Sequence, residues 1–259
     1  MRVQFFKYHG TGNDFILIDN RDNKVKNLKP EQIRNLCHRR FGIGADGLML
    51  LKSHQQYHFE MDYYNSDGSG ATMCGNGGRC ITAFSRDLGI IKDKAEFVAS
   101  DGLHVAHFEL QNLVSLKMKD VIAIEEFPEY SFLNTGSPHY IRFVTDVKQV
   151  DVFHEGKKVR YSDKFKDAGT NVNFVSILNN GLAVRTYERG VEDETYSCGT
   201  GSVAAAIAWF MRSDKKITTI AISTLGGHLE VSFKTNGKQF SDIYLKGPAV
   251  KVFEGEVEI

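Results

Sequence analysis

One short motif occurs twice, and it constrains the fold more than any other stretch of the chain. Met73-Cys74-Gly75-Asn76-Gly77-Gly78-Arg79-Cys80 lies in the first half and Ser197-Cys198-Gly199-Thr200-Gly201-Ser202 in the second. Each sets a cysteine directly before Gly-(Asn/Thr)-Gly, and a largely small or apolar run follows, 81–84 in one copy and 203–210 in the other. Glycine lets the backbone turn sharply and approach a ligand, while asparagine and threonine are residue types that cap helix N-termini. The motif therefore predicts a helix capped near Asn76 or Thr200 with its cysteine at the mouth. There, the N–H groups and the positive end of the dipole favour an anion, whether a thiolate or a bound carboxylate. A single copy would read as a buried cysteine packed like a small hydrophobe. Two copies, each opening an apolar helix, point to a pair that works together.

The surroundings repeat as well. In the first half, strands are predicted over 3–9 and 15–19, then an amphipathic helix over 28–40 with Ile33, Leu36 and Cys37 on one face. A hairpin of 48–52 with 57–64 and a polar loop over 65–70 lead into the first motif helix, which stops at Gly89; strands near 95–99, 103–108 and 113–118 follow. In the second half, 172–178 and 182–187 pair across Asn179-Asn180-Gly181, a strong hairpin signal. A polar loop over 188–196 enters the second motif helix, and strands near 218–223, 228–233 and 242–245 come after it. That order predicts an α+β fold of two duplicated lobes, 1–118 and 119–248, each with strands around one central helix. The run 204–210 is apolar enough to be enclosed on all sides. Pattern alone assigns the last strand, 249–259, to neither lobe.

Composition removes several functions. Lys plus Arg and Asp plus Glu both number 32, so the net charge of zero leaves no footprint for nucleic acid or an anionic membrane. The longest apolar run, 203–211, is far too short to span a bilayer, and the N-terminal residues lack the apolar stretch of a signal peptide. Four cysteines without a dense framework fit reduced thiols in the cytoplasm. No Cys-x-x-Cys or His-Glu-x-x-His occurs, so no metal is expected. Cys37 and Cys80 lack the glycine context and read as helix packing.

Two similar lobes facing one another would present Cys74 and Cys198 across a single cleft. Reacting atoms in near-attack geometry lie about 3–3.5 Å apart, so two sulfurs flanking one carbon would be roughly 6–7 Å from each other. That suits one task. One thiolate removes a proton from one face of the carbon, and the opposing thiol returns a proton to the other face. Only the singly deprotonated pair is productive, so the two thiols titrate as a unit. The carbanion needs its carboxylate held by donors, which two glycine-rich helix mouths supply.

Seven segments occur in order along the chain: Gly10-Thr11-Gly12-Asn13-Asp14-Phe15, Asn65-Ser66-Asp67-Gly68-Ser69, Met73-Cys74-Gly75-Asn76-Gly77, Pro138-His139, Asn171-Val172-Asn173-Phe174, Tyr187-Glu188-Arg189-Gly190 and Ser197-Cys198-Gly199-Thr200-Gly201. Together they resemble the diaminopimelate epimerase family from end to end. The resemblance implies a cofactor-independent epimerase that converts LL-2,6-diaminopimelate to the meso form, in lysine and cell-wall precursor synthesis, without pyridoxal phosphate. It implies two β-barrel-like lobes, each around a central helix, with the C-terminal strand returning to the first lobe and the active site in the cleft between them. Cys74 and Cys198 would be the acid/base pair, assisted by His139 and Glu188. Asn13, Asn65, Asn171, Glu188 and Arg189 would bind substrate, Arg189 suiting a distal carboxylate because its guanidinium can engage both oxygens. Gly75, Asn76, Gly199 and Thr200 would hold the reacting carboxylate through backbone amides. A homodimer is common in that family, so a second copy is the partner implied. Gly47, Gly70 and Ser137 depart from the glutamine, glutamate and asparagine frequent at those places. The nearest alternative is a proline or hydroxyproline racemase of the same fold, which usually shows His at the position of Asn76.

Overall fold

The N-terminal alternation of apolar and polar residues becomes β1 (Arg2–Gly10), which turns through Thr11-Gly12 into β2 (Asn13–Asp19). Both turn residues take left-handed backbone, φ 51° and 85°, as a two-residue hairpin requires. The structure is a computed structural model and describes residues 1–109, 113–214, 217–237 and 239–259. It divides into two units, Met1–Leu116 with Pro248–Ile259, and Lys117–Gly247.

In the first unit, helix α1 (Pro30–Cys37) carries the chain to β3 (Gly47–Lys52), which lies parallel to β2 and turns back into β4 (Phe59–Asn65). Helix α2 (Gly75–Asp87) then crosses to β5 (Lys94–Ala99), parallel to β4, and β6 (Gly102–Phe108) and β7 (Leu113–Lys117) follow antiparallel. The C-terminal strand β17 (Val250–Glu258) pairs antiparallel along β1 and completes the order β17-β1-β2-β3-β4-β5-β6-β7. Residues 15–18 and 48–51 are buried without alternation because the sheet is covered on both faces. Ile16, Ile18, Leu48 and Leu50 pack with Ile33, Leu36 and Cys37 of α1. On the other face lies α2, against β1, β2, β3 and β17, with every residue from Gly75 to Ser85 buried. Burying one such Leu or Ile contributes about 1.5–3 kcal/mol.

The second unit repeats this plan. Its sheet runs β8 (Ile124–Glu126), β9 (Ser131–Asn134), β10 (Pro138–Phe143), β11 (Asn171–Leu178), β12 (Gly181–Glu188), β14 (Thr219–Thr224), β15 (Gly227–Thr235), β16 (Phe240–Pro248), with short β13 (Asp193–Thr195) also beside β12. The parallel contacts fall at β10–β11 and β12–β14, the places that correspond to β2–β3 and β4–β5. Helix α3 (Val152–Arg160) stands where α1 does, and α4 (Gly199–Arg212) where α2 does. Helix α4 touches β9, β10, β11, β12, β14 and β15, so its apolar stretch is enclosed by strands.

Two local expectations are corrected. Helix α1 ends at Cys37, short of residue 40, because the returning chain takes its last carbonyls: Ile43 and Gly44 N–H bond to Leu36 O, and Ala45 N–H to Cys37 O. The helix caps are the cysteines themselves, Cys74 and Cys198, which moves Asn76 and Thr200 two residues inward, to the second helical residue.

Candidate active site

In the first unit, Cys74 is half-buried and its sulfur accepts the Gly77 N–H at 3.1 Å, so the thiol itself satisfies one first-turn donor of α2. A side chain at Gly77 would place Cβ 2.6 Å from Met49 Cε, the flexible end of that side chain, and 3.1 Å from Cys74 Sγ. Asn76 is buried, and its amide donates to Asn13 Oδ1 at 3.1 Å while its oxygen accepts from Arg79 at 3.0 Å. Asn13 in turn donates to Asp46 at 2.7 Å. Asp46 shares Arg39 with Asp14, whose carboxyl is pushed up by burial but held at about 2 by Arg39 and Lys7. Cys74, Gly75, Asn76 and Asn13 are thus one connected group. Asn65 stands apart from it: its side chain bonds to Ser69 of its own loop, and it pairs across the ladder with Gly47. At Gly47 a Cβ would lie 2.6 Å from the Tyr63 ring and 2.7 Å from Tyr64 O, so this strand position takes glycine and not the longer residue frequent elsewhere. Gly70 has open space around it.

In the second unit, Cys198 is buried and its sulfur lies 3.4 Å from Thr200 Oγ1. Thr135 Oγ1 donates to Thr200 O at 2.9 Å, tying the β9–β10 turn to the mouth of α4. His139 and Asn171 are register partners on β10 and β11, and both are buried. Asn171 donates to Ser137 Oγ at 2.9 Å and accepts the Arg189 N–H at 2.9 Å. The exposed Arg189 side chain reaches Ala168 O at 3.0 Å and Ser137 Oγ at 3.4 Å. Ser137, Asn171 and Arg189 therefore form a second cluster, and Glu188 beside it accepts from Thr195 Oγ1 at 2.9 Å.

His139 shows what the surroundings do to a titratable ring. Burial, then the charge of Arg189, pull its pKa down to about 3 against a hydrogen bond from Asn173, so the ring is neutral at physiological pH. Asn173 fixes the tautomer. Its amide nitrogen donates both to Tyr140 O, which can only accept, and to His139 Nδ1, each at 3.1 Å. Nδ1 is therefore the acceptor and the proton sits on Nε2, which is buried with no hydrogen-bond partner among the described residues. Asn173 Oδ1 accepts from Thr186 at 2.9 Å, and it lies 2.3 Å from where a Cβ at Gly201 would be. Neither Asn173 nor Asp46 stood out as a site residue in the sequence. The spacing Asn171-x-Asn173 on a predicted strand was the available signal, since it puts both amides on one face.

All four cysteines carry thiols rather than disulfides. Burial pushes Cys37 up to about 12 and Cys80 higher still, so these two are inert packing groups. Among the described residues no group of three or more His, Cys, Asp or Glu is arranged to hold a metal, and no helix is long and apolar enough to cross a membrane.

The same fold occurs in a Bacillus anthracis phenazine biosynthesis protein of the PhzF family, at TM-score 0.80 and 13% identity with 100% of both chains covered. It occurs again in a probable proline racemase from Agrobacterium radiobacter, at TM-score 0.71 and 14% identity over 99% of this chain and 93% of that one. Relatives that match from end to end make the chain an isomerase of the epimerase class. The chain belongs to the diaminopimelate epimerase family, whose pattern it matches over residues 5–121 and 131–252. It is 51% identical to the diaminopimelate epimerase of Flavobacterium psychrophilum over 97% of this chain and 99% of that relative. It is 39% identical to that of Chlorobaculum tepidum over 96% and 99%.

Proposed function

We propose that this protein epimerises LL-2,6-diaminopimelate to meso-2,6-diaminopimelate with Cys74 and Cys198 as acid and base, supplying lysine and peptidoglycan precursor synthesis. The observation that carries the reading is the repeated cap: in each unit a cysteine is the N-cap of the enclosed helix. One thiolate takes the α-proton, and the other thiol delivers a proton to the opposite face of the same carbon. The negative charge that develops on the reacting carboxylate is met by first-turn N–H groups at Gly75-Asn76 and Gly199-Thr200, where the helix dipoles also favour it. Asn13, Asn65, Asn171 and Arg189 hold the distal end. His139 offers a neutral Nε2–H donor, and with Glu188 it assists the thiols. The reading includes a cytoplasmic setting, which thiols suit, and a homodimer.

The test is solvent isotope incorporation. LL-diaminopimelate is incubated with the protein in deuterated water and the reaction is stopped early. Two opposed bases give product almost wholly deuterated at the inverted carbon, while recovered substrate keeps its own hydrogen. Early product that retains the substrate's hydrogen would sink the two-thiol mechanism. Turnover of L-proline instead of diaminopimelate would sink the substrate assignment.

A further inference from the structure

Arg79 follows Cys74 by five residues and is among the largest fully buried side chains, at 0% exposure. Its guanidinium lies against the first turn of α2. Nη1 donates to Gly75 O at 3.1 Å, Nη2 to Asn76 Oδ1 at 3.0 Å and Thr11 Oγ1 at 3.3 Å, and Nε to Pro248 O at 3.4 Å. Every one of these acceptors is a neutral oxygen. Burial pulls the arginine down to about 10, against Cys80 and then Cys74, which hold it up, so it is a cation at neutral pH.

Several of the other charges on elements packed against α2 have partners of opposite sign. On β1 and β2, Lys7 pairs with Asp14, which also binds Arg39. Tyr8 bonds to Asp87 at the far end of α2, Asp19 pairs with Arg21, and His9 accepts the Gly12 N–H. Lys52 of β3 pairs with Asp62, and Lys251 of β17 with Glu254. Beside the mouth, the Asp101 carboxylate accepts the Met73 N–H at 3.4 Å and lies 3.0 Å from His104 Nε2, a contact that is an ion pair only when the imidazole is protonated. A buried cation balanced only by dipoles raises the potential around it, and a nearby group that can become an anion lowers that cost. The equivalent position in the second motif, five residues after Cys198, is Val203, which is buried and apolar. At this one position, five residues after the cysteine, the two motifs differ by a formal charge.

We infer that Arg79 is a positioning residue that makes the mouth of α2 the more electropositive of the two, so that in the protein without substrate Cys74 carries the thiolate and Cys198 the proton. This rests on the acid/base reading of the two cysteines. It assigns a direction to a pair that the duplicated motif leaves symmetric.

The test is the pH dependence of thiol alkylation. Brief pulses of iodoacetamide between pH 5 and 9.5 are followed by peptide mass spectrometry of Cys74 and Cys198 separately. In the wild-type protein Cys74 should reach half-maximal reactivity at lower pH than Cys198, by about one unit or more. Arg79→Gln should raise the Cys74 midpoint by a similar amount and leave that of Cys198 in place, and Arg79→Lys should restore most of the shift. Equal midpoints in the wild type, or a Cys74 midpoint unmoved in folded Arg79→Gln, would overturn the inference. If the glutamine variant fails to fold by circular dichroism, the comparison of the two wild-type thiols decides alone. Alkylation needs no substrate, so a protein that shows the split yet does not epimerise diaminopimelate would lose the functional reading and keep this one.

Discussion

Gly201→Ala is the substitution in which helix propensity and tertiary packing give opposite answers. Gly201 is the third residue of α4, and alanine in a helix is favoured over glycine by about 1 kcal/mol. Its Cβ, however, would sit 2.3 Å from Asn173 Oδ1 and 3.3 Å from Cys198 Cβ. Asn173 has nowhere to go without loss, because it is held by His139 and Tyr140 O at 3.1 Å each and by Thr186 at 2.9 Å. Displacing it forfeits three buried hydrogen bonds at about 1 kcal/mol apiece. The net expectation is destabilisation by about 2 kcal/mol, a fall in Tm of about 4–8 °C for a chain of this size. Epimerisation should fall further than stability, since His139 loses the group that fixes its tautomer. Scanning calorimetry of this variant beside Gly77→Ala and Gly70→Ala makes the test internal. Gly77 meets the flexible end of Met49 and should cost less than about 1 kcal/mol, and Gly70, with nothing within 4 Å, should cost nothing. Gly201→Ala melting at or above wild type would refute the claim that Asn173 is clamped.

Cys74→Ala and Cys198→Ala should each abolish epimerisation while near-wild-type circular dichroism is retained, because removal and return of a proton are both needed in every turnover; most of the rate surviving in either variant removes that cysteine from the chemistry. Arg189→Ala should lower kcat/KM for diaminopimelate by about 10²-fold, and an unchanged value would mean the distal carboxylate binds elsewhere. His139 gives a pH signature. Its folded pKa of about 3 lies below the ordinary 6.5, so the unfolded chain binds the extra proton. Its stabilising contribution is complete above about pH 6.5 and is lost as pH falls towards 3, at about 1.4 kcal/mol per pH unit. Urea midpoints at pH 4, 5, 6 and 7 should therefore fall less steeply for His139→Gln than for wild type, and parallel slopes would show that the ring does not titrate this way.

What could be read in the sequence was whatever announces itself locally. The Asn179-Asn180-Gly181 turn, the alternation along β5 and the glycine-cysteine helix openings are short-range signals, and they fixed most strands and both enclosed helices. Helix α3 gave no such signal because Gly156 interrupts it. That glycine is there for a neighbour distant in sequence, since a Cβ would meet the Tyr187 side chain at 2.4 Å. The cap assignment failed for a related reason. Asn76 has a capping side chain by type, but Asn13 and Arg79 occupy it, leaving the sulfur of Cys74 to cap. Asp46 on Asn13 and Asn173 on His139 span 33 and 34 residues, a separation over which hydrophobic period and turn chemistry say nothing.

The pairing of β17 with β1 bears on the order in which the protein is made. Residues from Arg2↔Glu258 to His9↔Val250 are partners, so the first unit is closed by a strand that leaves the ribosome only after the whole of the second unit. The second unit takes its corresponding strand, β8, from just before β9 and lacks nothing once Gly247 has emerged. During synthesis the unit encoded first must wait with the edge of β1 unpaired, a surface open to wrong partners, while the unit encoded second can finish. Vectorial synthesis and completion of the fold therefore run in opposite orders along this chain.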